Sequence, residues 1–529
     1  MSTERTTPAI ADVGWCSWAR VGILGLRFAH ACCLVLLLTL AWGPHWPFSH
    51  FGLVAPHAGL LNAGFDLADL LLVGILIGWG GALLTGQDRV VLRPPWVSGS
   101  LLLFTLAGGL AIFSAPDRAA AVRFAVRSGG LAVLYLYLHR TIATRRLTPA
   151  TLACWLAPGL GLNGLLAIAQ AIHQNPLGLS WLDEPAMLRS TSGTAVVLVH
   201  GARILRPYGV LPHPNVLGGL LAAGLPLVIG LLSGTDQAGS VQPARWKLPA
   251  MAPRETLALL HISLMAAGLL LSLSRSAWLG LLGGGLYLII WRTAGRRSLP
   301  WRGSLAGMVM MLTFAVLLPA EFQAVVVRLQ PESNRLEQAS IAQRVSLLEI
   351  SFKVIAWRPL TGVGGDNFAR AAGQFLPSSA DSQTSLPVHN TYLLAQAELG
   401  PLGAVPWTIL MLTPLLGLAR YRWTRRPTHG APRANAAREV TLPWERRASR
   451  KAEVSRSKNG GAGLSVRGRR PRSLQAHALE PQQAGARWRA LAGCSLMVVA
   501  VAGMLDFYIW VNEPVAVLWI VALTLFTAS

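Results

Sequence analysis

Charge is scarce in this chain. Only 13% of its 529 residues are Asp, Glu, Lys or Arg, about half the share of an ordinary soluble domain. Acids are rarest, 23 against 46 basic residues. A soluble multidomain protein is excluded, because too little polar side chain is available to cover its surface. Cysteine is also sparse: Cys16, Cys32, Cys33, Cys154 and Cys494, mostly inside apolar runs and without metal-ligand or redox-motif spacing. That pattern excludes a disulfide framework and a zinc site. His45, His50 and His57 share one loop but fit no ligand pattern.

What the chain has instead is long apolar runs. Hydrophobic residues make up 53% and mean hydropathy is +0.46. Runs of spanning length fall near 21–42, 65–84, 96–114, 121–138, 150–172, 214–233, 255–273, 276–291, 303–320, 391–419, 490–510 and 513–527. The expected fold is therefore an all-α polytopic membrane protein with about twelve transmembrane helices, the last one short. The first run is too long for a signal-peptide core and reads as a retained span.

Net charge is +23, which in a soluble protein would suggest nucleic acid. Its distribution points elsewhere. Residues 420–489 hold 18 Lys and Arg against 4 Asp and Glu, so most of the excess lies in one loop between apolar runs. Shorter basic loops at Arg89 and Arg93, at Arg140, Arg145 and Arg146, at Arg245 to Arg254 and at Arg292 to Arg302 alternate with loops poor in basic residues. Positive-inside places the basic loops and both termini in the cytoplasm. The 420–489 loop, low in complexity and expected to be disordered, would contact anionic lipid, and no nucleic-acid partner is expected.

This topology leaves two long loops outside, 173–213 and 321–387, the second just before the tenth span. It carries "RVSLLEISFKVIAWRPL", an amphipathic helical pattern suited to the bilayer surface or the bundle mouth. The chain divides into N-terminal helices 1–172, a core 173–418 with both outer loops, the basic loop 419–489 and C-terminal helices 490–529.

Three polar stretches meet on the outer side. "RILRPYGVLPHPNVLGG" sets Arg206, Tyr208, His213 and Asn215 at the opening of the sixth span. "LSLSRSAWLG" sets Arg275 in a short turn after the seventh, with no acidic partner nearby in sequence. "LPVHNTYLLAQAELGPLG" sets His389 and Asn390 at the mouth of the tenth, with Tyr392 and Gln396 on the His389 face of a continuous helix and Glu398 on the opposite side. An arginine at a membrane mouth calls for a partner, and two guanidinium forks suit a diphosphate. A neutral histidine beside them can take a proton from a hydroxyl. Together they describe group transfer from a lipid-linked diphosphate to an alcohol.

With "RPLTGVGGDNF" added, these stretches occur in an order that resembles the O-antigen ligase and O-antigen polymerase superfamily of bacterial cell-envelope polysaccharide biosynthesis, over roughly 200–415. The resemblance implies a C-type-like helical glycosyltransferase that uses an undecaprenyl-diphosphate-linked glycan and needs neither metal nor nucleotide cofactor, and attack by the acceptor oxygen opposite the leaving diphosphate predicts inversion of the anomeric centre. It implies Arg206 and Arg275 as diphosphate-binding residues and His389 as catalytic base, in the plasma membrane with the site on the outer face. Tyr208, Asn215, Asp366, Asn390, Tyr392, Gln396 and Glu398 are supporting candidates. The acceptor can be a glycan, a lipid or a protein, so ligase and polymerase both stand as alternatives. The 420–489 insert departs from the family's compact pattern. The "GVGGDNF" stretch lacks the strand and Lys-Ser/Thr of a phosphate loop and reads as a turn that brings Asp366 and Asn367 toward the mouth. A transporter is the rival from another class, but no repeated halves are visible and the polar residues gather at one face. A lipid-gripping scaffold would leave Arg206, Arg275 and His389 without a shared purpose.

Overall fold

The computed structural model describes residues 11–40, 45–47, 64–191, 193–233, 252–295, 301–330, 335–376, 386–424, 473–511 and 513–528. His50, His57 and most of the basic 420–489 loop lie outside the described residues. Two compact units are present: residues 1–417 with 484–529, and residues 418–483.

In the first unit the helices are α1 (Ala11–Thr39), α2 (Leu67–Leu84), α3 (Pro95–Ala111), α4 (Arg118–Ala143), α5 (Pro149–His173), α6 (Pro214–Ile229), α7 (Pro253–Leu271), α8 (Arg275–Gly295), α9 (Trp301–Leu329), α10 (Arg335–Trp357), α11 (Phe368–Ala372) and α12 (Thr391–Met411). The first unit also holds the part of helix Ser473–Ala502 from Ala484 onward, the short Tyr508–Val511 and Glu513–Ala528. Among the described residues ten helices are long and apolar enough to cross a membrane, and α12 with the helix after it can form an eleventh. The protein is multi-pass and all-α in its spans. Among the described residues strand is confined to two small hairpins, β1 (His45–Pro47) with β2 (Gly64–Asp66), and β3 (Val196–Val199) with β4 (Ala202–Leu205).

The helix starts follow from local chemistry. Asp117 caps α4 by accepting from the Ala120 amide at 3.1 Å. Thr148 caps α5 in the same way through Thr151, with Pro149 at the first helical position. His213 caps α6 and Asn390 caps α12, the latter accepting from the Tyr392 and Leu393 amides at 3.0 Å.

Helix α6 is apolar on all sides and is the centre of the bundle, 94% of its spanning window being buried. It packs against α5, α7, α8 and Glu513–Ala528. Small residues permit the close approach: a Cβ on Gly224 would lie 2.4 Å from Leu160 Cδ1. Helix α9 is the opposite case, only 6% buried in its window, with Met308, Met311, Leu312 and Val316 turned outward as lipid requires.

Three features depart from the sequence reading. Helix α9 runs to Leu329, so the expected outer loop from 321 begins nine residues late, because Val325 to Val327 prolong the apolar face. The 173–213 loop contains the β3–β4 hairpin. Helix α12 is broken at Gly400 (φ 64°, ψ −168°), ahead of Pro401, so its two halves do not share continuous faces.

Candidate active site

The turn between α7 and α8 organises the site. Ser272 and Ser274 are fully buried, and Leu273 adopts a left-handed φ of 50°. This conformation opens two carbonyls to incoming arginines. Ser272 O accepts from Arg206 Nε at 2.9 Å, and Leu273 O accepts from Arg328 Nε at 3.0 Å. Arg275, the first residue of α8, donates through Nη1 to Arg328 O at 3.1 Å.

Arg206 reaches the turn because the segment before it is pinned. Its amide extends the hairpin to Ala195 O at 3.2 Å. Gln170 on α5 accepts from the Tyr208 and Gly209 amides at 2.9 and 2.8 Å, while Gln174 accepts from Leu205. Gly209 has φ 62°, and a Cβ there would lie 2.3 Å from Asn163 Oδ1. Tyr208 serves the same scaffold, its hydroxyl accepting from the Ala195 amide at 2.8 Å.

The absence of an acid beside Arg275 in sequence is corrected by the fold. Glu337, on α10, lies 3.2 Å from Arg275 Nη2 and also pairs with Arg328 Nη1. A second acid, Asp506, stands on the other side. Its Oδ2 accepts from Asn215 Nδ2 at 2.8 Å, and Asn215 Oδ1 in turn accepts from Arg206 Nη2 at 2.6 Å. Arg344, from α10, lies 4.0 Å from Asp506 and donates to Leu505 O at 3.3 Å.

The start of α12 is stapled to the segment that carries Asp506. The Thr391 amide donates to Gly503 O at 2.8 Å, Asn390 Nδ2 to Met504 O at 3.2 Å and Tyr392 Oη to Ala500 O at 3.0 Å. This docking sets His389 against Phe507, with ring centroids 4.9 Å apart and edge to face. His389 Nδ1 is buried with no hydrogen-bond partner among the described residues. Burial pushes the imidazole down to about 4; Asp506 opposes the shift and Arg344 adds to it. His213, which accepts from the Asn215 amide through Nδ1 at 3.1 Å, is pushed down to about 3 by burial and by the charges of Arg206, His389, Arg344 and Arg328. Burial also lowers Arg206 from the ordinary arginine value, which marks the cost of holding a guanidinium here.

The fold thus brings Arg206, Arg275, His213, Asn215 and His389 to one locus. It does not add Tyr392 or Gln396 by the expected helical face, because His389 precedes the Asn390 cap and is not helical. Gln396 donates instead to Pro359 O at 3.1 Å. Asp366 and Glu398 belong to another cluster. Glu398 accepts from the Asp366 and Phe368 amides, both at 2.9 Å, and from Trp510 Nε1 at 2.7 Å. The "GVGGDNF" stretch is a turn, as expected, but it clasps the broken α12 rather than approaching His389. Asn367 ties it to Asp117 on both edges, at 2.7 and 3.0 Å. Asp366, pushed up to about 6 by burial against the opposing pull of Arg127 and Arg123, lines an apolar cavity with Arg127, Phe124, Trp407, Trp510 and Glu513.

The carboxylates of Asp66, Asp69 and Glu513 lie within 4.8 Å of one another. Arg127 stands among them at 3.3, 3.7 and 4.0 Å and supplies positive charge to the group.

Sequence reasoning missed Arg328, Glu337, Arg344 and Asp506. Two signals were present. Arg328 ends an apolar run on a side where positive-inside does not place basic residues, and Asp506 is an acid within an apolar run.

Residues 260–408 match a family model described as O-Antigen ligase. The match spans Arg275, Arg328, Glu337, Arg344 and His389, and leaves Arg206, Asn215 and Asp506 outside it. No curated protein and no solved structure matches the chain.

Proposed function

From membership of the O-antigen ligase family, which the match over residues 260–408 supports, we propose that this multi-pass membrane protein transfers a glycan from an undecaprenyl-diphosphate donor to an acceptor hydroxyl at the outer face of the plasma membrane. One observation carries the reading. Four arginines from separate segments come together: Arg206, Arg328 and Arg344 act on His213, Arg344 acts on His389 as well, Arg275 joins them through Arg328, and their acidic partners among the described residues are Glu337 and Asp506. The surplus of positive charge suits a diphosphate.

In this reading the donor lipid stays in the bilayer and its diphosphate lies against Arg206 and Arg275. Neutral His389 takes the acceptor hydroxyl proton as that oxygen forms a bond to the anomeric carbon. The bond from that carbon to the phosphate oxygen breaks, and its electron pair leaves with undecaprenyl diphosphate. The arginines stabilise the growing negative charge. Attack from the face opposite the leaving group inverts the anomeric carbon, and the proton on His389 passes to water or the departing diphosphate. Both termini and the basic 420–489 loop are then cytoplasmic, the loop facing anionic lipid.

Ligase and polymerase share these steps and differ in acceptor. Purified protein given a lipid-diphosphate glycan and each acceptor class tests the proposal by product size. A single addition identifies a ligase and a ladder a polymerase. No lipid diphosphate released with any acceptor, or a product of retained configuration, refutes the chemistry.

A further inference from the structure

Helix α10 packs its buried residues Leu347, Ile350, Ser351 and Val354 toward the bundle. Two functional groups ride on it. Glu337 holds Arg275 and Arg328, while Arg344 enters the site from the next two turns along. The arginines of the site are held very differently. Arg206 is fixed by Ser272 O at 2.9 Å and Asn215 Oδ1 at 2.6 Å; Arg328 is fixed by Leu273 O at 3.0 Å and by Glu337. Among the described residues, Arg344 has only a long bond to Leu505 O, at 3.3 Å, and a 4.0 Å approach to Asp506. Its Nε is buried with no hydrogen-bond partner among the described residues.

A buried Nε–H without an acceptor is costly even on a side chain that is partly exposed, and native structures leave few of them. The Arg344 charge reaches both histidines and Arg275. Asp506 is already engaged by Asn215 and by the Phe507 amide at 3.0 Å, so it has little reason to hold Arg344 more tightly. Such an arginine is available for an anion entering between α10 and the turn at Ser272.

Resting on the donor reading above, we propose that Arg344 is a further diphosphate-binding residue, parked loosely against Asp506 and Leu505 until a phosphate oxygen takes its unpaired Nε–H and one Nη–H. Arg206 and Arg275 then grip from the bundle and Arg344 from α10, so donor binding draws this helix onto the site. The contact is made in the ground state, and its loss falls mainly on donor affinity.

The test uses the full chain in detergent or nanodiscs, with inorganic pyrophosphate as the binding probe and donor KM as the kinetic one. Arg344→Gln is expected to raise both the pyrophosphate Kd and the donor KM by about 10- to 100-fold, the range for a lost charge-assisted pair, with a smaller change in kcat. Arg344→Lys keeps the charge without the fork and should recover only part of the loss. Lys353→Gln, an exposed change on the same helix, should match wild type. If wild type binds pyrophosphate and Arg206→Lys weakens it, but both Arg344 variants retain wild-type Kd and KM, the Arg344 inference is overturned alone. If wild type binds no pyrophosphate, the donor-site reading falls and takes the inference with it. A loss confined to thermal stability, with Kd and KM unchanged, also overturns it.

Discussion

Asn215 and Asp506, 291 positions apart, are joined by a 2.8 Å hydrogen bond from the Asn215 amide to the carboxylate. Because Asn215 also accepts from Arg206 at 2.6 Å, one amide transmits the position of the segment after Ser473–Ala502 to the arginine after β4. In the proposed reaction it is a positioning residue. Asn215→Leu should keep the helix start, which His213 caps, yet remove the link between Arg206 Nη2 and Asp506 Oδ2. Transfer should fall about 10- to 100-fold, and Asn215→Gln should restore part of it. Wild-type kcat/KM in a correctly inserted Asn215→Leu protein would remove the relay from the mechanism.

His389→Ala should lower transfer by a factor on the order of 10² to 10⁴ if general-base loss is the whole effect, while pyrophosphate binding persists. The pH profile has a sign of its own. Neutral imidazole is the active form and its folded value is about 4, set by burial, with Asp506 opposing, Arg344 adding and His213 beside it. Activity should therefore stay level down through pH 6.5 and decline only near 4. An acid limb at 6.5 would place the base outside this environment.

The same shifts predict stability. His389 and His213 have folded values of about 4 and about 3, below their ordinary 6.5. The unfolded chain takes up protons first, so stability falls as pH drops from 6.5 toward these values. Thermal unfolding in nanodiscs at pH 7.5 and pH 5 should give a lower midpoint at pH 5, and His213→Gln should shrink the difference.

Arg275→Lys should impair transfer although the charge remains, because a lysine cannot span Glu337 Oε2 and Arg328 O as the guanidinium does at 3.2 and 3.1 Å. Rates equal to wild type for Arg275→Lys and Arg206→Lys together would show that fork geometry is irrelevant.

Glu398 should matter to folding more than to chemistry. Glu398→Ala leaves the Asp366 and Phe368 amides and Trp510 Nε1 without their acceptor, at a cost of about 3 kcal/mol or more. Gly400→Ala should act in the same direction, since φ is 64° and the new Cβ would lie 2.1 Å from Leu360 O. Both variants should unfold at lower temperature while retaining donor KM in the surviving fraction. An unchanged midpoint for Glu398→Ala would contradict this.

The sequence by itself determined the elements. Run length and hydropathy specify where most spans lie, because a helix in lipid must satisfy its own backbone over the bilayer thickness, though α9 runs nine residues past its expected end. Arg206, Arg275 and His389 could be singled out because a polar group at an apolar boundary is costly wherever it occurs. Tertiary structure decided what those groups touch. Glu337 pairs with Arg275 and Asp506 completes the Arg206 relay through contacts between distant segments, and no local pattern records them. The face shared by His389, Tyr392 and Gln396 depended on one continuous helix, whereas the chain turns helical only after Asn390 and breaks at Gly400. Asp366 went to the Glu398 cluster for the same reason: the glycines of "GVGGDNF" fit where the broken backbone of α12 leaves room, and packing around that break was settled only when both segments met.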